Sequence, residues 1–272
     1  MARSSKPNPT TTHSIDSTNY SLSLADAALA SLSLIFLGGA TVLLFFVVLS
    51  GITRTSPLRQ TYFLSADTSG ISGARDVSQW TYFRICGAGN VDCSHTWPDP
   101  PVGYAWDGNP TGANLPERLI GSYGGNTTSQ TYYYLWRFGW VFYLLSLFFT
   151  VVAFFSGFVA CCGRLGSAIA GFMSLVALFV HTVAAALMTA TFVRMRDQFN
   201  SVGRDARIGT YAFGFTWGAW AALFIATVLF CIGVRGKKDN YSSGGSRWGR
   251  KRSVRSRRSY DIGSHRVKED YA

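Results

Sequence analysis

Four stretches of the chain run for more than 20 residues without a charged side chain: Ala27 to Ile52, Phe138 to Gly163, Leu165 to Val193 and Ile208 to Val234. A helix needs roughly 20 apolar residues to cross the hydrocarbon core of a bilayer. The pattern therefore predicts four transmembrane helices and excludes a water-soluble globule. It divides the chain into a disordered N-terminal segment (1–26), a first span (27–52), a long loop (53–133), a second span (134–163), a third span (164–193), a short loop (194–207), a fourth span (208–234) and a disordered basic tail (235–272). The turn at Gly163-Arg164 is so tight that the second and third spans form a helical hairpin. Residues 1–26 lack the apolar core of a cleavable leader, so the first span is expected to act as its own insertion signal.

Within the long loop the pattern changes to short segments with strand character, such as Gln60 to Leu64 and Gln79 to Ile85. Turn signals separate them at Thr68-Ser69-Gly70, Pro98-Asp99-Pro100-Pro101, Asp107-Gly108-Asn109-Pro110 and Gly124-Gly125-Asn126. The expected architecture is an all-α transmembrane four-helix bundle carrying a small β-rich loop domain.

Charge decides the orientation. Only 14% of the 272 residues are charged, yet the net charge is +11. The tail holds 12 Lys/Arg against 4 Asp/Glu, a surplus of 8, so the body is nearly neutral. Basic residues collect on the cytoplasmic side of membrane proteins, which places both termini in the cytoplasm and the long loop outside. Arg194, Arg196, Arg204 and Arg207 stand against this, since connectivity puts their short loop outside; the sequence offers no reason for them.

Of five cysteines, Cys86 and Cys93 alone fall in the predicted external loop, where an oxidising compartment favours pairing them; two free thiols are the alternative. Cys161, Cys162 and Cys231 sit at predicted cytoplasmic span ends, as S-acylation sites or as small apolar helix residues. Asn126-Thr127-Thr128 is a glycosylation sequon on the external side. Small residues recur along the third span, at four-residue spacing in Gly163, Ser167 and Gly171, again at Ala170, Ser174 and Ala177, then at Ala186 and Ala190, and likewise at Gly214 and Gly218, as close helix packing in the bundle requires. His181 is the one strongly titratable side chain deep in a span, and a hydrogen bond to a neighbouring helix is its expected role.

The tail segment Arg247 to Arg258 contains Arg247, Arg250, Lys251, Arg252, Arg255, Arg257 and Arg258. Beside an anionic inner leaflet each is worth about 1 kcal/mol of surface attachment. Ser253, Ser256 and Ser259, interleaved with these charges, are candidate phosphorylation sites that would weaken it, an electrostatic switch. A merely solvated tail is the alternative. The four histidines are scattered over tail, loop and span, so no catalytic constellation, metal-ligand spacing or cofactor site emerges, and nucleic acid is not an expected partner.

The run Pro57, Tyr62-Phe63-Leu64, Ala66-Asp67-Thr68-Ser69-Gly70-Ile71, Gln79-Trp80-Thr81-Tyr82-Phe83 and Ile85-Cys86 resembles the first loop of fungal SUR7/PalI four-span proteins. Tyr134 to Tyr143, Gly163-Arg164-Leu165-Gly166, Ala184 to Ala190 and Phe230-Cys231-Ile232-Gly233 extend the likeness over about residues 27–236. The resemblance implies a claudin-like fold, an external sheet pinned by a cysteine pair that follows a tryptophan, here Trp80, Cys86 and Cys93. No Gly-Leu-Trp precedes Cys86, so paracellular sealing is not carried over. The segments around Asp67, Thr68 and Gly70 and around Trp80, Thr81 and Phe83 bring the chain closest to the eisosome-associated branch.

For that branch the resemblance implies a non-enzymatic organiser of plasma-membrane cortical domains, with roles in cell-wall integrity, endocytosis and sphingolipid balance. Expected partners are anionic inner-leaflet lipid and sphingolipid, an eisosome scaffold, the cell wall and further copies of the chain. Two alternatives are an accessory protein of ambient-pH signalling that supports a larger receptor, and an oligomeric channel or transporter subunit.

Overall fold

The computed structural model describes residues 9–53, 55–106, 114–160 and 164–242. Four long helices, α1 (Pro9–Val48), α3 (Gln130–Ala160), α4 (Arg164–Ser201) and α5 (Thr210–Ser242), pack together, and a short turn, α2 (Tyr123–Asn126), precedes α3. Their apolar spans are Ala28–Val48, Gln130–Phe158, Ala168–Ser201 and Thr210–Ile232. The four-span reading holds. Each helix outruns its predicted boundary: α1 starts at Pro9, inside the segment expected to be disordered, α4 continues to Ser201 through half of the expected short loop, and α5 runs to Ser242, into the expected disordered tail. The physical reason is cooperativity, since adding a residue to an existing helix fixes two torsions for one hydrogen bond, whereas starting one is costly. Pro9 suits a first helical position, where its missing N–H is not needed.

Inside the bundle the small side chains sit where helices meet. Ala170, Ser174, Ala177, His181, Ala184 and Met188 form the buried row of α4. Ala186, in contrast, faces outward, because it is two positions from the buried Ala184 and Met188 and so stands on another face of the 3.6-residue helix. A Cβ added at Gly218 would stand 3.4 Å from Leu43 Cδ1 on α1, whereas one added at Gly214 would meet nothing within 4 Å, so only Gly218 of that pair lies where helices meet. His181 Nε2 lies 3.0 Å from the Thr216 carbonyl of α5, which makes Nε2 the protonated nitrogen. Tyr143 of α3 donates to the Thr216 hydroxyl at 3.2 Å, since that hydroxyl already donates to Ala212 O. A polar tie between α3, α4 and α5 is therefore built in the bundle centre, as expected for His181. Large apolar side chains such as Phe148, Phe172 and Phe179 are exposed around the outside, the surface a bilayer covers.

One end of the bundle carries an antiparallel sheet of β1 (Leu64–Asp67), β2 (Val77–Trp80), β3 (Ile85–Cys86) and β4 (Ala206–Ile208), in the order β3-β2-β1-β4. The register places Leu64 opposite Trp80 and Ile208, and Gln79 opposite Cys86. The strand segments expected at Gln60 to Leu64 and Gln79 to Ile85 are displaced: Leu58–Gln60 is a short 3-10 helix, and Tyr82-Phe83 lies in the turn between β2 and β3. β1 pairs with β4, which comes from the loop between α4 and α5 and carried no strand expectation.

Candidate functional site

The loop domain is the part of the molecule whose residues converge, and each motif residue has a specific task there. Asp67 ends β1, and its Oδ1 accepts the Ser69 N–H at 2.9 Å, which shapes the turn that Gly70 continues with φ +72°. That interaction with Ser69, helped by Arg204, holds the Asp67 carboxyl below its usual range. Thr68 is fully buried; its hydroxyl donates to Arg75 O at 2.6 Å and lies 2.8 Å from Ser78 Oγ on β2, closing the β1-β2 connection. Trp80 donates its indole N–H to Val102 O at 3.0 Å and tilts against Phe199 at the end of α4. Thr81 caps the β2-β3 turn by donating to Arg84 O at 2.8 Å, and its side chain fills the space where a Cβ on Gly51 would stand. Phe83 meets the Trp140 ring edge-on at 5.8 Å.

Cys86 and Cys93 form a disulfide. The free-thiol alternative is thereby set aside. Between them, Asn90 adopts a left-handed conformation and donates to Leu58 O and Thr61 O at 3.0 and 2.9 Å, while its N–H donates to Gln79 Oε1. The covalent loop is thus stitched onto the chain that leads into β1.

The anchorage to the bundle rests on Tyr82, a residue of the motif run whose role the sequence did not disclose. Its N–H donates to Ser50 Oγ just after α1, its hydroxyl donates to Trp140 O on α3 at 2.7 Å, and Trp140 returns an indole N–H to Tyr82 O at 3.2 Å. Burial pushes the Tyr82 phenol well above its usual range, so it stays a hydrogen-bond donor. On the neighbouring turn of α3, Trp136 donates to Pro100 O at 2.9 Å and Arg137 pairs with the buried Asp99. Burial raises the Asp99 carboxyl despite the opposing pull of Arg137.

The short connection after α4 is equally committed. Arg204 donates to Asn114 O at 2.7 Å, and to Asp67 O and Ser69 O at 3.2 and 3.1 Å. Arg207 sits in β4 opposite Ser65 and pairs with Asp205 at 2.9 Å. Arg204 and Arg207, unexplained by the sequence, are parts of the loop domain. Gly209 closes this joint: a Cβ there would overlap the Tyr62 carbonyl.

A sequence profile of the SUR7/PalI family matches residues 29–229, nearly all of the four apolar spans and the loop domain between them. The chain belongs to the SUR7/PalI family. It is similar to the protein SUR7 of Candida albicans, at 33% identity over 203 residues that cover 74% of this chain and 73% of that one. It is also similar to the SUR7 family protein FMP45 of Saccharomyces cerevisiae, at 34% identity over 207 residues, covering 71% of this chain and 65% of the relative. A third relative, named as an uncharacterized plasma membrane protein of Saccharomyces cerevisiae, is 31% identical over 215 residues, covering 77% of this chain and 69% of its own. This SUR7/PalI chain is accordingly a multi-pass membrane protein with four spans and a disulfide-linked loop domain.

The remaining sequence-level candidates stay apart from this site. Asn126 is exposed, with φ +63°, at the end of α2; the Thr128 hydroxyl of its sequon is buried and accepts the Gly103 N–H at 2.9 Å, a structural use independent of any glycan. Cys231 is an exposed free cysteine near the end of the α5 span. Cys161, Cys162, the basic cluster from Arg247 to Arg258 and Ser253, Ser256 and Ser259 lie outside the described residues.

Proposed function

We propose that this SUR7/PalI protein is a non-enzymatic organiser of a plasma-membrane cortical domain, with both termini in the cytoplasm and the loop domain facing the cell wall. The observation that carries this reading is the hydrogen-bonded junction of loop domain and bundle through Tyr82, Trp136, Arg137 and Arg204, together with an exposed aromatic ridge of His95, Trp97 and Tyr104. An enzyme or receptor that closes on a ligand needs a mobile element, whereas a lateral organiser needs a fixed outward face. Trp97 is 50% exposed and Tyr104 42%, large amphipathic surfaces of the kind that interfaces with partner proteins or sugar polymers use.

In this reading the tail cluster holds anionic lipid, Ser253, Ser256 and Ser259 weaken that hold when phosphorylated, and Cys161, Cys162 and Cys231 are acylation sites at the inner face. An eisosome scaffold is the proposed lateral partner, with homo-oligomers in the patch and sphingolipid around it. The test is the behaviour of the tagged full chain in living fungal cells beside an eisosome scaffold marker. Stable patches that coincide with the marker and do not refill after bleaching are the expected result. Diffuse fluorescence that recovers freely overturns the proposal.

A further inference from the structure

At the sheet end of the bundle a cleft of about 490 Å³ opens between the start of α3 and the end of α4, lined by Arg118, Ser129, Thr131, Tyr132, Arg194, Asp197 and Gln198. We propose that this cleft holds the phosphate of an anionic lipid headgroup in the leaflet on the sheet side, for which phosphatidylserine serves as the probe. It lies at the opposite end of the bundle from the point where α3 ends at Ala160 and α4 begins at Arg164.

Charge is the first argument. Arg118 and Arg194 are exposed, and neither makes an ion pair among the described residues. Asp197, the one carboxylate lining the cleft, pairs with Arg196 at 2.6 Å, and the two guanidinium groups of the lining outnumber it. A guanidinium presents a planar fork that matches a phosphate better than it matches water.

The second argument is an open hydrogen-bonding position. Ser129 Oγ is shielded and has no hydrogen-bond partner among the described residues, and Thr131 adds a second hydroxyl on the first turn of α3. The first N–H groups of a helix also precede its i to i−4 ladder and favour negative charge. Buried polar atoms are seldom left without a partner, so the Ser129 hydroxyl is a donor suited to an oxygen acceptor.

Depth and continuity make the ligand a lipid rather than a free anion. The α3 span begins at Gln130 and the α4 span ends at Ser201, so the cleft lies at the level of the headgroups. Directly below Thr131 on the same face of α3, Tyr134, Phe138, Val141, Leu145 and Phe148 are all exposed, a continuous apolar track for an acyl chain. Tyr123, Tyr133 and Tyr134 cluster around the start of that helix, as aromatic side chains do at a membrane interface.

The experiment measures lipid retention on the full chain by native mass spectrometry from detergent micelles, using phosphatidylserine and phosphatidylcholine as probes. The tail is kept but Arg250, Lys251, Arg252, Arg255, Arg257 and Arg258 are replaced by Gln, so that tail binding does not mask the cleft. One retained phosphatidylserine is expected, preferred over phosphatidylcholine, with R118Q/R194Q weakening retention about tenfold or more and S129A by less. R118K/R194K is expected to restore part of it. If the double variant melts at a lower temperature than its parent, the single variants R118Q and R194Q decide. Unchanged retention in the arginine variants, equal retention of the two lipids, or displacement by an equal concentration of inorganic phosphate each overturns the proposal.

Discussion

Tyr82 and Trp140 hold each other by hydrogen bonds in both directions: the phenol donates to the Trp140 carbonyl at 2.7 Å, the indole donates to the Tyr82 carbonyl at 3.2 Å, and the rings stack with centroids 5.4 Å apart. One partner lies in the turn after β2 and the other in the α3 span, 58 residues apart in sequence. The pair is therefore a weld between sheet and bundle. Tyr82→Phe keeps the stack and removes one donor, which should cost about 1–2 kcal/mol. Trp140→Phe should cost a similar or larger amount, and the double variant less than the sum, because the two changes disrupt one unit. Thermal unfolding of the four proteins in detergent checks this, and strict additivity would show that the contacts act separately.

The Cys86–Cys93 disulfide closes a short loop that Asn90 fastens to Leu58 and Thr61. Loop-closure entropy for so short a ring gives about 2 kcal/mol of stabilisation. Cys86→Ser is expected to lower the melting temperature and to expose the loop domain to protease while the helices stay protected. An unchanged digestion pattern in the variant counts against the disulfide as the clasp of the sheet.

Arg204 satisfies three carbonyls of the loop domain from the α4-α5 connection. Because it is partly exposed, its removal as Arg204→Ala should cost about 1 kcal/mol, and Arg204→Lys should recover little, since an ammonium cannot span all three oxygens. The readout is the stability difference together with protease access near Asn114. Equal stability of the Lys variant and the parent would reduce Arg204 to a simple positive charge.

Two loop carboxylates should give opposite pH signatures. The Asp99 carboxyl is raised by burial, so the folded state binds its proton more readily than the unfolded chain; its contribution to stability falls as pH rises through the window above the ordinary value of 3.8. The Asp67 carboxyl is lowered by Ser69, so its contribution is fully present above 3.8 and is lost as pH falls through its depressed value. Melting curves of Asp99→Asn and Asp67→Asn against the parent across acidic pH are expected to diverge in opposite directions. Parallel curves would refute the assigned environments.

Trp97 stands on the outer ridge, and among the described residues its ring meets the rings of His95 and Tyr104. Trp97→Ala should leave stability within about 0.5 kcal/mol, as exposed substitutions generally do. In cells it is expected to raise the mobile fraction of the cortical patches. Wild-type patch dynamics with this variant would show that the ridge takes no part in lateral organisation.

How much was legible from residue order differs by element. Span positions were plain because bilayer thickness demands a length and an apolarity that the sequence displays directly. The motif residues Asp67, Thr68, Gly70, Trp80, Thr81 and Phe83 were visible as a group, but their separate tasks were not, since hydrogen bonds to Ser78, Val102 or Arg84 depend on where the turn folds back. Tyr82 offered no signal beyond its place in that run. Only the approach of α3 to the β2-β3 turn makes it central.

The four spans, the concentration of charge in the tail, the fate of Cys86 and Cys93 and a neighbouring-helix partner for His181 follow from local composition and connectivity, because burial of apolar area and the chemistry of a compartment act on each segment almost independently. The strand at Ala206–Ile208, the displaced strands of the first loop, the use of Arg204 and the cleft between Arg118 and Arg194 were decided by tertiary structure alone. A three-residue strand has no periodicity to read, and an arginine reaching three carbonyls more than 80 residues away has no local signature; both exist only once two loops meet at the same end of the bundle.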